Sequence, residues 1–388
     1  MLSAISECKY CLYSNSLNAR GWVLEPADTE KIEIFIDDNI HLGIAQLGKY
    51  RGDVFKNYPQ FENINSGWEF NIQLPLSIVE KGILKVDFYK DSQKLGSLET
   101  SIVIDRANLV LFNEFLSENP QIDYNPNFAM HAEQILATLK STGISTKEHY
   151  ADKDLFKKWY KQIDYCGNYP GYTSEYLPEV TLPRKAWQHF LSIDLLTLKN
   201  TYYTYLDIGS SSSVFAKILH RLHPRARTYR QDLNYQAGIH GQYIGSDAAN
   251  IPLPDSSVDS MGLHCAWEHF ENNADIQFIE EAARLLKSGG KFCIIPLYLA
   301  NDYFIFTSPQ IWKNKYSNAS GRPVFDPNAK IVINHSKRQR QEKYFSVDAL
   351  LEMVIIPYQE EFKFTIFYFS NHQKHDGCPA FALVGEKR

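Results

Sequence analysis

The chain has 388 residues, 44% hydrophobic and 22% charged, which is long for one core and apolar enough to bury more than one; wholesale disorder is excluded and two or more domains are expected. A formal net charge of -5 and a pI near 6.2 supply no general basic field for a phosphate backbone, so nucleic acid is not expected as a partner. No apolar run reaches bilayer length and the start, MLSAISECKYCLYSN, lacks a signal-peptide pattern, so the protein is expected to stay in the cytoplasm.

Along the chain, residues 1–105 read as a small β-sandwich-like domain. KIEIFIDDN alternates Ile32, Ile34 and Ile36 on one face before an Asp37-Asp38-Asn39 turn, and LGIAQL, GWEFNIQL, GILKVDFYK and SLETSIVI follow as further strands. Cys8 and Cys11 form a C-x-x-C, but no second pair completes a four-ligand zinc site. With Cys166, Cys265, Cys293 and Cys378 they are expected to be free thiols, and no metal is expected. Residues 106–199 read as a helical linker or cap, from the spacing in FAMHAEQILATLK and TKEHYADKDLFKKWYKQI. Its tyrosines, Tyr165, Tyr169, Tyr172 and Tyr176, either cover a ligand or pack.

From residue 200 to 388, strand-like runs alternate with helical ones, the pattern of βαβ units around a mostly parallel α/β sheet. TYYTYLDIGSSSSVFAKILHRLHP is a buried strand ending at Asp207-Ile208-Gly209, a small-residue turn, and a helix over Val214–Leu222; such a turn lets backbone N–H groups approach a ligand. A nicotinamide-binding loop competes for this reading, but its third glycine is missing at Val214 and an acid precedes the turn at Asp207. Asp232, 25 positions after Asp207 at the end of ARTYRQDL, is placed to accept hydrogen bonds from ribose hydroxyls, or is an ordinary turn aspartate. Ile276, Ile279, Ala283 and Leu286 keep helical spacing up to a Gly289-Gly290 stop and a buried strand. KYFSVDALLEMVI reads as a last helix, and EFKFTIFYF with CPAFALVGEK as an antiparallel closing pair.

Together these segments resemble the class I S-adenosylmethionine-dependent methyltransferases over about half the chain, Thr201 to Arg388. The turn is similar to their D/E-x-G-x-G-x-G motif, read as Asp207, Gly209, Ser211 and Ser213 with serine at two glycine positions. GSDAANIPLPDSSVDSMGLHCAWEHF is similar to their adenine-contacting block, with Asp247-Ala248 as the acid and small residue, Ile251–Pro254 as the turn and Glu268-His269-Phe270 as the ending. The resemblance implies a Rossmann-like seven-stranded sheet, S-adenosyl-L-methionine as cofactor, and a cofactor site of Asp207, Gly209, Ser211, Ser213, Asp232, Asp247, Ala248 and His264. GWVLEPADTEKIEIFIDDN resembles β-sandwich modules attached to bacterial glycan-modifying transferases, which implies a saccharide or other small soluble acceptor, methylated on a hydroxyl.

A hydroxyl acceptor calls for a general base, and His264 at the end of the fourth strand is the first candidate, followed by Glu268 and His269. Glu268-His269 is not an H-E-x-x-H arrangement, so no metal is assigned to it. In the insertion after the fifth strand, Trp312 or Tyr316 could stack a sugar and Arg322 or Arg338 meet an anion, or the segment is a surface excursion; Lys337, Arg338 and Arg340 read as a solvated loop. The thinned glycine motif keeps open an alternative, a methyltransferase fold retained for binding or scaffolding without catalysis.

Overall fold

The computed structural model describes residues 2–11, 15–25, 29–79, 82–104, 109–118, 131–164, 182–199, 201–312, 321–333, 339–371 and 379–388. The chain divides into two units, residues 1–120 with 173–179, and residues 121–172 with 180–388. No helix among the described residues is long and apolar enough to cross a membrane.

The first unit is built from two sheets. β1 (Leu2–Cys11), β2 (Ser16–Glu25), β5 (Gln46–Lys49), β6 (Gly67–Gln73) and β9 (Val103–Ile104) form one, in the order β5-β6-β2-β1-β9. β3 (Lys31–Ile36), β4 (Ile40–Ile44), β7 (Ile83–Lys90) and β8 (Gln93–Ser101) form the other, in the order β4-β3-β7-β8. The alternation in KIEIFI works as expected: Ile32, Ile34 and Ile36 are fully buried and share one core with Tyr10, Leu17, Trp68 and Phe70 from the opposite sheet. Asp37 and Asp38 take positive φ angles of 50° and 62°, closing the hairpin to β4. The strand β1 went unread in the sequence because LSAISECKYC alternates polar and apolar only weakly. Burial within it pushes the Cys8 thiol up to about 12, with the neighbouring Glu7 carboxylate adding to the effect, so this sulfur is a poor thiolate.

The second unit is a twisted sheet of β10 (Thr146–His149), β11 (Thr204–Ile208), β12 (Arg227–His240), β13 (Tyr243–Gly245), β14 (Val258–His264), β15 (Leu286–Ile295), β19 (Phe362–Phe369) and β20 (Phe381–Lys387). Their order is β10-β19-β20-β15-β14-β11-β12-β13. β12, β11, β14 and β15 run parallel, whereas β20 is antiparallel to both β15 and β19. Parallel strands are buried on both faces, which is why TYLDI and MGLH are nearly continuous in apolar burial. Phe215, Ala216, Ile218 and Leu219 bury one face of the helix Phe215–Leu222, and Phe278, Ile279, Ala282 and Leu285 that of Ala274–Leu285.

The sheet has eight strands, one more than expected. Thr146–His149, read above as the start of a helix, pairs in parallel with Ile366–Phe369, and the helix begins only at Lys153 behind the capping carboxylate of Asp152. Four mostly polar edge residues carry too short a pattern to reveal their period. The insertion also departs from a plain excursion: β16 (Phe304–Thr307), β17 (Lys330–Ile333) and β18 (Glu342–Tyr344) make a three-stranded sheet ordered β17-β16-β18.

Candidate functional site

The carboxyl ends of β11 and β14, and β12 where its pairing with β11 stops at Arg230, open onto one edge, the place where parallel α/β sheets bind ligands. After β11 the backbone turns at Gly209 with φ 58°, and a Cβ there would lie 2.8 Å from the Cβ of Ala266, so only glycine fits on both counts. Ser211 holds φ 40°, a left-handed conformation that glycine would adopt without strain. Ser213 accepts a hydrogen bond from the Phe215 N–H at 3.2 Å, so this serine helps start the helix as glycine could not.

Two residues of β12, just past the point where its pairing with β11 stops at Arg230, tie the turn down. The Gln231 side chain, 1% exposed, accepts from the Gly209 N–H at 3.1 Å and donates to the Ser246 carbonyl at 2.5 Å. Asp232 accepts from the Ser211 N–H at 2.7 Å and from the Asn234 N–H at 2.9 Å. Arg230 and the Tyr235 hydroxyl both donate to the Ser211 carbonyl, at 2.7 and 2.5 Å, and Ser210 lies 3.0 Å from the same hydroxyl. The expectation of free loop N–H groups therefore needs correcting: those of Gly209 and Ser211 are satisfied by protein, and Asp232 keeps the lone pairs not used on Ser211 and Asn234.

Asp247 follows β13, exposed and accepting from the Ala249 N–H at 2.9 Å, with Ala248 buried beside it. The Ile251–Pro254 turn is held from behind by Arg284, which donates to the carbonyls of Ile251 and Leu253 at 2.8 and 2.9 Å. Asp207, Gly209, Ser211, Ser213, Asp232, Asp247 and Ala248 thus belong to one sheet edge, with Gln231 bridging the first loop to the last.

His264 lies at the end of β14 as expected, but its side chain is 2% exposed and turns inward rather than toward a crevice. Nδ1 is 3.2 Å from Asp207 Oδ1 and Nε2 is 2.9 Å from Ser192 Oγ. An ionised carboxylate only accepts, so Nδ1 carries the proton and Ser192 donates to Nε2 in the neutral tautomer. Both ring nitrogens are occupied, which explains why strand position alone misjudged its direction. The Tyr205 hydroxyl donates to the same Asp207 oxygen at 3.3 Å, while Asp207 Oδ2 is buried with no hydrogen-bond partner among the described residues.

Glu268 and His269 sit in a single 3-10 turn, Trp267–His269, that follows Cys265 with its positive φ of 49°. Glu268 is buried, and desolvation pushes its carboxyl above the usual range, with the His269 ring at 3.7 Å pulling partly the other way. His269 Nδ1 lies 2.7 Å from the Gln341 carbonyl, an anchor for β18. Trp312 is fully buried and donates through its indole N–H to Thr307 Oγ1 at 2.7 Å, so it is a core residue of the insertion and not a sugar platform. Arg340 pairs with Glu271 at 2.9 Å and donates to the carbonyls of Trp312 and Gly321, which removes it from the expected solvated loop. Arg322 is half-buried. Tyr165, Tyr169, Tyr172, Tyr176, Tyr316, Lys337 and Arg338 lie outside the described residues.

Residues 206–294 match the family model described as a methyltransferase domain. The matched span runs from the end of β11 to the end of β15 and so includes every loop of this edge. The chain is also similar to a 25S rRNA (adenine-N(1))-methyltransferase of Chaetomium thermophilum, 28% identical over 144 residues; the alignment covers 37% of this chain and spans 21% of that protein's length. Among solved structures, the YcgJ protein of Bacillus subtilis is 14% identical with a TM-score of 0.33, covering 52% of this chain and 98% of that one. A Burkholderia thailandensis 1,6-didemethyltoxoflavin-N1-methyltransferase is 12% identical with a TM-score of 0.31, covering 69% and 94%.

Gln231, Ser192 and Tyr235 were not picked out from the sequence. A signal existed for the first: Arg230, Gln231 and Asp232 are three consecutive polar residues within a strand, and all three are buried. Polar groups are buried in succession only where partners await them.

Proposed function

We propose that the chain is an S-adenosylmethionine-dependent methyltransferase whose cofactor site is the edge formed by the Gly209 turn, Asp232 and the Asp247 loop. The observation that carries this reading is their convergence inside the span matched by the methyltransferase family, with Gln231 joining the first loop to the last. Two features fit that cofactor. Asp207 Oδ2, buried with no hydrogen-bond partner among the described residues, suits an ammonium group, and Asp232 keeps acceptor capacity beyond its bonds to the Ser211 and Asn234 N–H groups.

When bound, the cofactor supplies the electrophilic methyl carbon. The protein's own residues bind and orient. Asp232 has acceptor capacity left for ribose hydroxyls, and Asp247 with Ala248 flanks the place of the base. His264 holds Asp207 in place from behind while Ser192 holds His264, so this histidine is a positioning residue. Among the candidates for general base, Glu268 is buried, and desolvation raises its carboxyl above the usual range, the direction a base needs.

The acceptor class rests on less. The burial of Trp312 takes one support from a saccharide, and the rRNA named for the Chaetomium relative makes a nucleobase a second reading. Calorimetric titration with S-adenosylmethionine, S-adenosylhomocysteine and NAD tests the proposal. Heat with both sulfur nucleosides and none with NAD is expected. Asp232→Ala should weaken binding by about 10- to 150-fold, the worth of one charge-assisted hydrogen bond. No heat with either sulfur nucleoside would leave the non-catalytic scaffold as the reading.

A further inference from the structure

Between Asp207 and Asp232 the sequence contains no acidic residue, but it carries Lys217, Arg221, Arg225, Arg227 and Arg230. Only Arg230 is drawn into the cofactor edge. Lys217, Arg221, Arg225 and Arg227 are exposed, and among the described residues none has an acidic partner. This is unusual in a chain of net charge -5, whose other surface cations are frequently paired.

The fold gathers three of these cations in one place. Arg221 is in the last turn of the helix Phe215–Leu222, Arg225 is in the turn after it, and Arg227 opens β12, whereas Lys217 sits in the first turn of the helix, toward the cofactor edge. Beside them is the start of β11: the Arg227 N–H donates to the Tyr203 carbonyl at 2.8 Å, and the Tyr203 hydroxyl is 2.6 Å from His223 Nδ1. There Tyr202 is 88% exposed, the most exposed large apolar side chain among those described. The acid close by, Asp259, accepts from the Thr204 N–H at 2.7 Å and has both carboxylate oxygens on Lys287 at 2.8 Å, so it does not cancel the patch. Last-turn cations also suit the helix dipole, but that accounts for Arg221 and not for Arg225, Arg227 or an exposed tyrosine.

We propose that this amino-terminal edge of the sheet, roughly 20 Å along β11 from the cofactor edge, is a docking surface for single-stranded nucleic acid. Arg221, Arg225 and Arg227 contact successive phosphates and Tyr202 stacks on an unpaired base. Cations alone suit any polyanion. The exposed aromatic ring among them selects a strand with free bases over a lipid surface or a duplex. It also reverses the expectation drawn from net charge, because a local field depends on where charges lie and not on their sum.

The test is fluorescence anisotropy of a labelled single-stranded oligonucleotide of about 20 nucleotides, longer than usual single-strand site sizes, without cofactor. Binding is thus read independently of the methyltransferase proposal, which stands or falls on calorimetry. Three phosphate contacts give a slope of about -2.1 in log K against log salt, so affinity should fall about 20-fold between roughly 50 and 200 mM salt. The Arg221→Glu/Arg225→Glu variant should cut that slope by about two-thirds and weaken binding by at least about 10-fold. Tyr202→Ala should weaken binding about 5- to 150-fold and leave the slope unchanged. All three residues are exposed, so unchanged circular dichroism and unchanged S-adenosylhomocysteine heats are expected. Absence of binding at 50 mM salt, indifference to the double reversal, or an unaffected Tyr202→Ala variant would each overturn the proposal. So would tighter binding to phosphatidylserine vesicles than to the oligonucleotide.

Discussion

Lys343 of β18 and Asp275, in the first turn of the helix Ala274–Leu285, form an ion pair at 2.7 Å with both side chains fully buried. The contact is close but not aligned as a hydrogen bond to either carboxylate oxygen, and Lys343 also donates to the Asn272 carbonyl at 2.6 Å. At that separation the attraction is about 6 kcal/mol for an effective dielectric near 20, set against several kcal/mol of desolvation for each ion. The pair as a whole therefore contributes little net stability, whereas either partner alone would be a buried, uncompensated charge. Lys343→Met should cost about 3–5 kcal/mol, lowering the melting temperature of this unit by about 6–20 °C in scanning calorimetry. The double variant Asp275→Leu/Lys343→Met should recover most of the loss. A single variant that melts within about 1 °C of the parent, or a double variant less stable than the single, would refute this account of the pair.

Three further outcomes follow from the site. Gln231→Leu removes both bridging bonds at similar volume, so S-adenosylhomocysteine should bind about 10-fold or more weakly; in that background a further Asp247→Ala change should cost less than it does in the parent, and additive losses would show that Gln231 does not set the Asp247 loop. Ser211→Gly exchanges a left-handed serine costing about 1–2 kcal/mol for a glycine with about 0.5–1 kcal/mol more chain entropy to lose, so denaturant melts should show a gain of up to about 1.5 kcal/mol, and a loss would mean the serine is held by something else. Burial raises the Glu268 carboxyl, so its neutral form is favoured in the folded state; that stability is present below the unfolded carboxyl range and is lost as pH rises through the raised value. Glu268→Gln should therefore be the more stable protein at pH about 8 and not at pH about 4, and, with an acceptor in hand, should lose about 100-fold or more in kcat if Glu268 is the base.

What could be read from the sequence was local. The alternation of KIEIFI, the strand–turn–helix after Asp207, the closing pair of β19 and β20 and the positions of Asp232 and Asp247 all depend on neighbours in the chain, and a period of two or a glycine at a turn is written there directly. The tertiary structure decided which way side chains face and what they meet. His264 turns inward because Ser192, 72 positions away, comes to meet it; Trp312 is core because Thr307 at the end of β16 meets its indole N–H and Phe325 lies against its ring; β10 joins the sheet only because β19 offers an edge. The basic face likewise exists because β11 and β12 pair, bringing Tyr202 beside residues more than 20 positions later. Burial and hydrogen-bond partnership are properties of contacts between distant segments, and no pattern within a single segment contains them.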